Sequence, residues 1–152
     1  MGNKYVYELV NATPTAGTNA IVVFSATGKA ARLVGISCVG RGTTSAAQGV
    51  EIARATGGAA GTSPTTITAS KGDGSSLPTA SSTVYSNLGT SPTNPTADAS
   101  GIAVGWNALG GAIVWNAPPG MYYILNGEQI VIRVPSGYTP QACSISVIIE
   151  EL

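Results

Sequence analysis

The sequence predicts an all-β fold: a single-domain antiparallel β-sandwich of the jelly-roll type, with one long Ser/Thr/Gly/Pro-rich excursion. Three observations carry this. Apolar residues recur in alternation or in short runs bounded by turn residues, and almost nothing repeats near 3.6 residues. The chain has 152 residues, the usual size of one domain, so residues 1–152 are expected to share one core. About eight strand-like segments joined by connections of unequal length favour a double sheet over a simple meander. An immunoglobulin-like sandwich and a small closed barrel are the alternative architectures.

Taken in order, "KYVYELV" places Tyr5, Tyr7 and Leu9 on one face and Val6, Glu8 and Val10 on the other. "AIVVFSA" follows the turn-rich "NATPTAGTN", and Gly28-Lys29 reads as a hairpin turn into "ARLVGISCVG". "GVEIARAT" mixes Val50, Ile52 and Ala53 with Glu51 and Arg54, the pattern of a half-solvated, edge-like strand. From Thr56 to Gly101 the texture changes to Ser, Thr, Gly, Ala and Pro, too poor in large apolar residues for a second core. Within this excursion, "TTITAS" is expected to form a short strand, and Val84, Tyr85 and Leu88 of "TVYSNL" to dock on the body. "GAIVW", "MYYIL", "EQIVIRVP" and "CSISVIIEEL" supply the remaining strands. Asn126-Gly127 predicts a type I′ hairpin between two of them, with both turn residues at positive φ. Ile130, Ile132 and Val134 are then expected to face opposite Val131 and Arg133.

Composition narrows the function. Seven basic and seven acidic residues cancel and make up only 9% of the chain, against roughly a quarter in typical soluble proteins. Nucleic acid and membrane surfaces both call for clustered Lys and Arg, so neither is an expected partner. Low charge and a mean hydropathy of +0.24 predict surface reserved for other subunits. "MGNKYVYELV" lacks the apolar core of a signal peptide and carries Val6 at the myristoylation position, so the chain is expected to begin where it is written.

Catalytic constellations were sought in turn. With no histidine, Ser-His-Asp and Cys-His arrangements are excluded. "VFSATGKAA" has Val23 where a phosphate loop opens with glycine and Ala30 where it needs Ser or Thr. "GISCVG" is a residue too long for a nucleophile elbow, and Asp73 in "KGDGSS" is a single carboxylate where calcium requires several. Nothing places Glu150 with Glu151, or Glu51 with Glu128, in a cleft. No enzymatic activity, catalytic residue, metal or cofactor is expected. Cys38 and Cys143 read as buried free thiols, with a disulfide between neighbouring strands as the alternative.

The order of features is informative in itself. A short strand begins close to Met1, Ala-, Thr- and Gly-rich loops fill the middle, and "IVWNAPPGMYYILNGEQIVIRV" precedes the last strand, "CSISVIIEEL". This layout resembles the small jelly-roll decoration, or cement, proteins that cover the heads of tailed bacteriophages. It departs from their pattern in carrying Asn126-Gly127 where proline-glycine is frequent. The resemblance implies a structural virion subunit, a homotrimer made in the host cytoplasm and seated on the outer surface of the capsid, with the major capsid protein as partner. Contact with the capsid is expected from Asn3, Lys4, Tyr5 and Tyr7 and from loops at one end of the sandwich. Tyr5, Tyr7, Tyr122, Tyr123, Trp106 and Trp115 are expected in the core, with subunit anchoring as the alternative role of some of them. A carbohydrate- or receptor-binding jelly roll of a fibre or adhesin is the competing reading, with Trp106, Tyr122 and Tyr123 lining its groove.

Overall fold

The structure, a computed structural model, describes residues 2–12, 20–56, 65–71, 78–86, 95–96, 103–135 and 138–152. All regular elements among them are strands, in two antiparallel sheets stacked as a sandwich. The long strands are β1 (Asn3–Ala12), β2 (Ala20–Ser25), β3 (Ala31–Gly40), β4 (Ala47–Thr56), β9 (Ala103–Asn107), β10 (Ala112–Asn116), β12 (Glu128–Arg133) and β13 (Cys143–Glu151). Between β4 and β9 lie the short strands β5 (Thr65–Ile67), β6 (Ser70–Lys71), β7 (Thr83–Ser86) and β8 (Pro95–Thr96), and β11 (Tyr123–Ile124) precedes β12.

One sheet runs β10-β3-β13-β1-β6, with β11 also paired to β3. The other runs β5-β7-β2-β12-β4-β8, with β9 also paired to β4. The long strands thus change sheet at every connection except β4 to β9, which pair with each other. In each sheet a late strand, β13 or β12, lies between two early ones. This order is consistent with a jelly roll, in which Greek-key connections wrap two sheets around one core.

Alternation selects the core. Tyr5 and Tyr7 from β1, Phe24 from β2, Val50 and Ile52 from β4, Ile130 and Ile132 from β12, and Ile145, Val147 and Ile149 from β13 all bury into one cluster. In β3 a register shift opposite Ile148 and Ile149 lets both Leu33 and Ile36 turn inward, as a bulge permits. Gly40 closes the strand where backbone crowds it: an added Cβ would meet the carbonyl oxygens of Ala108 and Asn107. Val131 and Arg133 oppose the inward isoleucines as expected, and Arg133 pairs with Glu51 across β12 and β4.

Three local expectations change. β4 is interior, not edge-like, because β12 pairs on one side and β8 and β9 on the other. The Gly28 turn joins strands of opposite sheets, so it is a corner and not a hairpin. The Asn126-Gly127 turn is likewise a corner, from β11 on β3 to β12 beside β2. Gly127 has φ 87°, whereas Asn126 is not at positive φ. Together with the bond from Glu128 N to Leu125 O at 3.0 Å, this is the signature of a type II turn, not type I′. Neighbouring chain fastens it: Gly28 N donates to Asn126 Oδ1 at 2.9 Å, and Gly127 N to Ala26 O at 3.2 Å. Of the excursion, "TTITAS" supplies β5 and opens β6, and Val84 of β7 is buried. Leu88 and Asp73 fall outside the described residues.

Candidate functional site

The N-terminal strand is built into the sheet. β1 pairs with β13 from Asn3↔Glu151 onward and with β6 through Tyr5↔Lys71 and Val6↔Ser70. Tyr5 and Tyr7 are 0% and 2% exposed. Their hydroxyls donate to Pro78 O at 2.9 Å and Ser82 O at 3.0 Å, satisfying groups that burial would otherwise leave unpaired. Burial first, then the nearby Glu151 carboxylate and Tyr5, push the Tyr7 hydroxyl well above its ordinary value. Of the four residues expected to meet the capsid, only Asn3 and Lys4 keep partly exposed side chains. Period-two alternation carried the signal that the tyrosine face turns inward.

Beside this strand sits an ionic clasp. Arg32 Nε donates to Glu150 Oε2 at 2.5 Å, and Gly2 N donates to Glu150 Oε1 at 3.1 Å. Burial works against ionising Glu150, but the Arg32 hydrogen bond and charge, the Gly2 amide and Lys4 outweigh it and hold the carboxyl below its ordinary value. The neighbouring Glu151 accepts from Ser82 N at 2.5 Å. The two glutamates therefore act on different partners, as structural acceptors.

The expected aromatic groove does not assemble. Trp106 is buried in the core, as is Tyr122, whose ring meets Trp115 edge-on at 5.5 Å and 84°. Only Tyr123 of the trio is exposed, with the Arg32 guanidinium 5.7 Å from its ring centroid. What the surface carries instead is a set of exposed apolar side chains on the strands that flank one side of β3. β10 pairs with β3 over Gly35 to Val39, and β11 pairs with it over Ala31 and Arg32, so both border the same side of that strand. Val114 is 73% exposed and Leu125 65%, with Met121 and Tyr123 also exposed between them in sequence.

The segment linking β10 to β11 aims these side chains outward. Ala117 N donates to Val34 O at 2.8 Å, Met121 N to Pro118 O at 3.2 Å, and Leu33 N to Tyr122 O at 3.2 Å. Gly120 has φ 82° and Tyr122 φ 57°. A tyrosine in the left-handed region is uncommon and costs on the order of 1 kcal/mol. Here it buries the Tyr122 ring while Met121 and Tyr123 on either side stay exposed. Alternation in "AIVWN" sets Val114 opposite Ile113 and Trp115, but the place of β10 at the end of the strand order among the described residues depends on pairing that sequence alone does not disclose.

Cys38 and Cys143 are free and buried. Cys38 lies opposite Ile145 and Cys143 opposite Gly40, so the thiols are diagonal neighbours, with Cα atoms roughly 7–8 Å apart. That separation exceeds what a disulfide spans without backbone movement. Burial raises both thiols, Cys38 to about 12 with a contribution from Cys143, and Cys143 to about 11. Among the described residues no group of three or more His, Cys, Asp or Glu could hold a metal ion, and no helix is long and apolar enough to cross a membrane. Neither the protein-family models nor the curated proteins contain a match to the chain.

Proposed function

We propose that this protein is a structural virion subunit that decorates a bacteriophage capsid, binding the major capsid protein lattice as a homotrimer on its outer surface. The observation that carries the reading is the exposure of Val114, Met121, Tyr123 and Leu125 on β10, on β11 and beside β11, along one side of β3. Several large apolar side chains exposed on neighbouring strands are a mark of protein contact. A chain with only 9% charged residues also loses little by dehydrating its contact surface. The layout resemblance supplies the identity of the lattice. A standard contact of roughly 1,600 Å² would engage these side chains and a rim beyond them, and Asn3 and Lys4 remain the N-terminal candidates for a second contact.

Co-sedimentation with undecorated, expanded phage heads tests the proposal. Removing the first residues would strip β1 from between β13 and β6, so point substitutions are the proper probe. Val114→Lys with Leu125→Lys should weaken binding at least about tenfold, equivalent to about 1.4 kcal/mol, while the melting temperature holds. Failure of the unsubstituted protein to bind any expanded head would overturn the assignment.

A further inference from the structure

The hydrogen bonds along β10 reveal which of its backbone groups are left over. Gly40 N donates to Gly111 O at 2.7 Å and Ala117 N to Val34 O at 2.8 Å, at the two ends of a register that runs without a shift from Ala112↔Val39 to Asn116↔Gly35. In an antiparallel ladder the residues that bond a given neighbour alternate, so Ile113 and Trp115 bond β3 together with Gly111 and Ala117. The N–H and C=O groups of Ala112, Val114 and Asn116 therefore point away from β3, in the plane of the sheet. Among the described residues no strand pairs with them. All three residues are exposed, and Val114, at 73%, is too open for a strand flanked on both sides.

A donor and an acceptor on every second residue are satisfied together only by another strand. Charge, proline or a bulge commonly protects such an edge, and Ala112–Asn116 contains none of them. The first protection is Pro118, the next position in the outward alternation, which has no N–H to offer. What remains is a segment that complements itself. It begins and ends on outward residues, so a two-fold axis at Val114 lays β10 antiparallel to its own copy with Val114 against the partner's Val114 and Ala112 against the partner's Asn116. Every outward group then meets one of opposite kind, and no charge on the segment opposes the approach. The Val114 side chain stands off the face of the sheet while the paired groups lie in its plane, so the surface used in the capsid reading stays available.

We infer that this protein pairs with a second copy of itself through antiparallel β10–β10 contact, continuing the sheet of β10, β3, β13 and β1 across a two-fold axis. The contact goes beyond the capsid reading and does not depend on it; three-fold contacts elsewhere on the surface would be linked to their neighbours by it. Amide hydrogen exchange on the isotopically labelled full chain, without phage heads and at rising protein concentration, tests it. Ile113 and Trp115 bond β3 and should be protected throughout. Ala112, Val114 and Asn116 should exchange freely in dilute protein and slow at least about tenfold as copies pair. Val114→Pro removes an outward N–H without touching the β3 ladder, and Val114→Lys sets like charges against each other at the axis with the backbone intact. Each should weaken association, read by sedimentation, at least about tenfold, and should return Ala112 and Asn116 to free exchange. Val114→Thr keeps the N–H and the β-branched shape and should retain both effects. Melting curves confirm that each variant folds. Free exchange of Ala112, Val114 and Asn116 at every concentration, or association and protection undiminished in both Val114→Pro and Val114→Lys, would overturn the inference.

Discussion

Asn126→Pro and Gly127→Ala separate the corner seen here from a hairpin of the same sequence. In the corner, Gly127 carries φ 87° while Asn126 is not at positive φ. A Cβ at Gly127 meets no atom within 4 Å, so the cost of Gly127→Ala is conformational, about 1–2 kcal/mol for an L-residue in the left-handed region. For a domain of this size that lowers the melting temperature by about 2–8 °C. Proline suits the first central position of a type II turn. It restricts the unfolded chain, worth about 0.4–1 kcal/mol. Against that stands the loss of the exposed bond from Gly28 N to Asn126 Oδ1, worth about 0.5–1.5 kcal/mol. Asn126→Pro should therefore shift stability by no more than about 1 kcal/mol either way. Thermal denaturation by circular dichroism, supported by urea midpoints, reads both variants. A type I′ turn reverses the order, because proline cannot take positive φ at its first position. Severe loss in Asn126→Pro, exceeding the loss in Gly127→Ala, would refute the type II corner.

Two further outcomes follow from buried ionisable groups. Cys38 and Cys143 are raised to about 12 and about 11, so their burial favours folding below the ordinary thiol value of roughly 8.5 and that contribution declines as pH rises through the folded values; at about pH 8 both should resist Ellman's reagent until urea is added, and prompt labelling of the native protein would contradict their placement. Glu150 is lowered, mainly by Arg32 acting against burial, so its contribution is whole above the ordinary glutamate value of about 4.3 and is lost as pH falls through the lower folded value. Glu150→Gln should melt lower at neutral pH, with the gap to the parent closing on acidification; a gap independent of pH would remove the clasp.

Much of the fold was legible because alternation decides which face of a strand is buried. "KYVYELV" and "EQIVIRV" grouped Tyr5 with Tyr7 and Ile130 with Ile132 on shared faces, and the core takes both groups. Sheet membership was harder to read. Turn residues at Gly28 and at Asn126-Gly127 announce reversals, but a short connection serves a hairpin or a corner equally, and long-range pairing decides between them. "AVGWN" escaped as β9 because Gly105 interrupts its β-propensity, although Val104 and Trp106 alternate inward. The tyrosines of β1 carried two readings, core and contact surface; burial decides for the core, where backbone carbonyls of Pro78 and Ser82 meet their hydroxyls. The exposure of Val114 and Leu125 together arises from which strands end up at the sheet margins, and local sequence does not encode that.

The positions of β12 and β13 have a consequence for biosynthesis. Each completes a sheet by entering between strands made far earlier: β13 between β1 and β3, β12 between β2 and β4. On the ribosome, β1 to β4 therefore wait with no neighbour to satisfy their facing edges until β12 and β13 have emerged. Such pairing is intrinsically slow, since distant segments must meet before either gains from it. Open edges are also where nascent chains adhere to one another. A β1 edge left waiting can accept a β13 from another copy before its own is made, so crowded synthesis would favour strand-exchanged assemblies, and a ribosome stalled just short of Cys143 would hold a chain with no central strand in one of its two sheets.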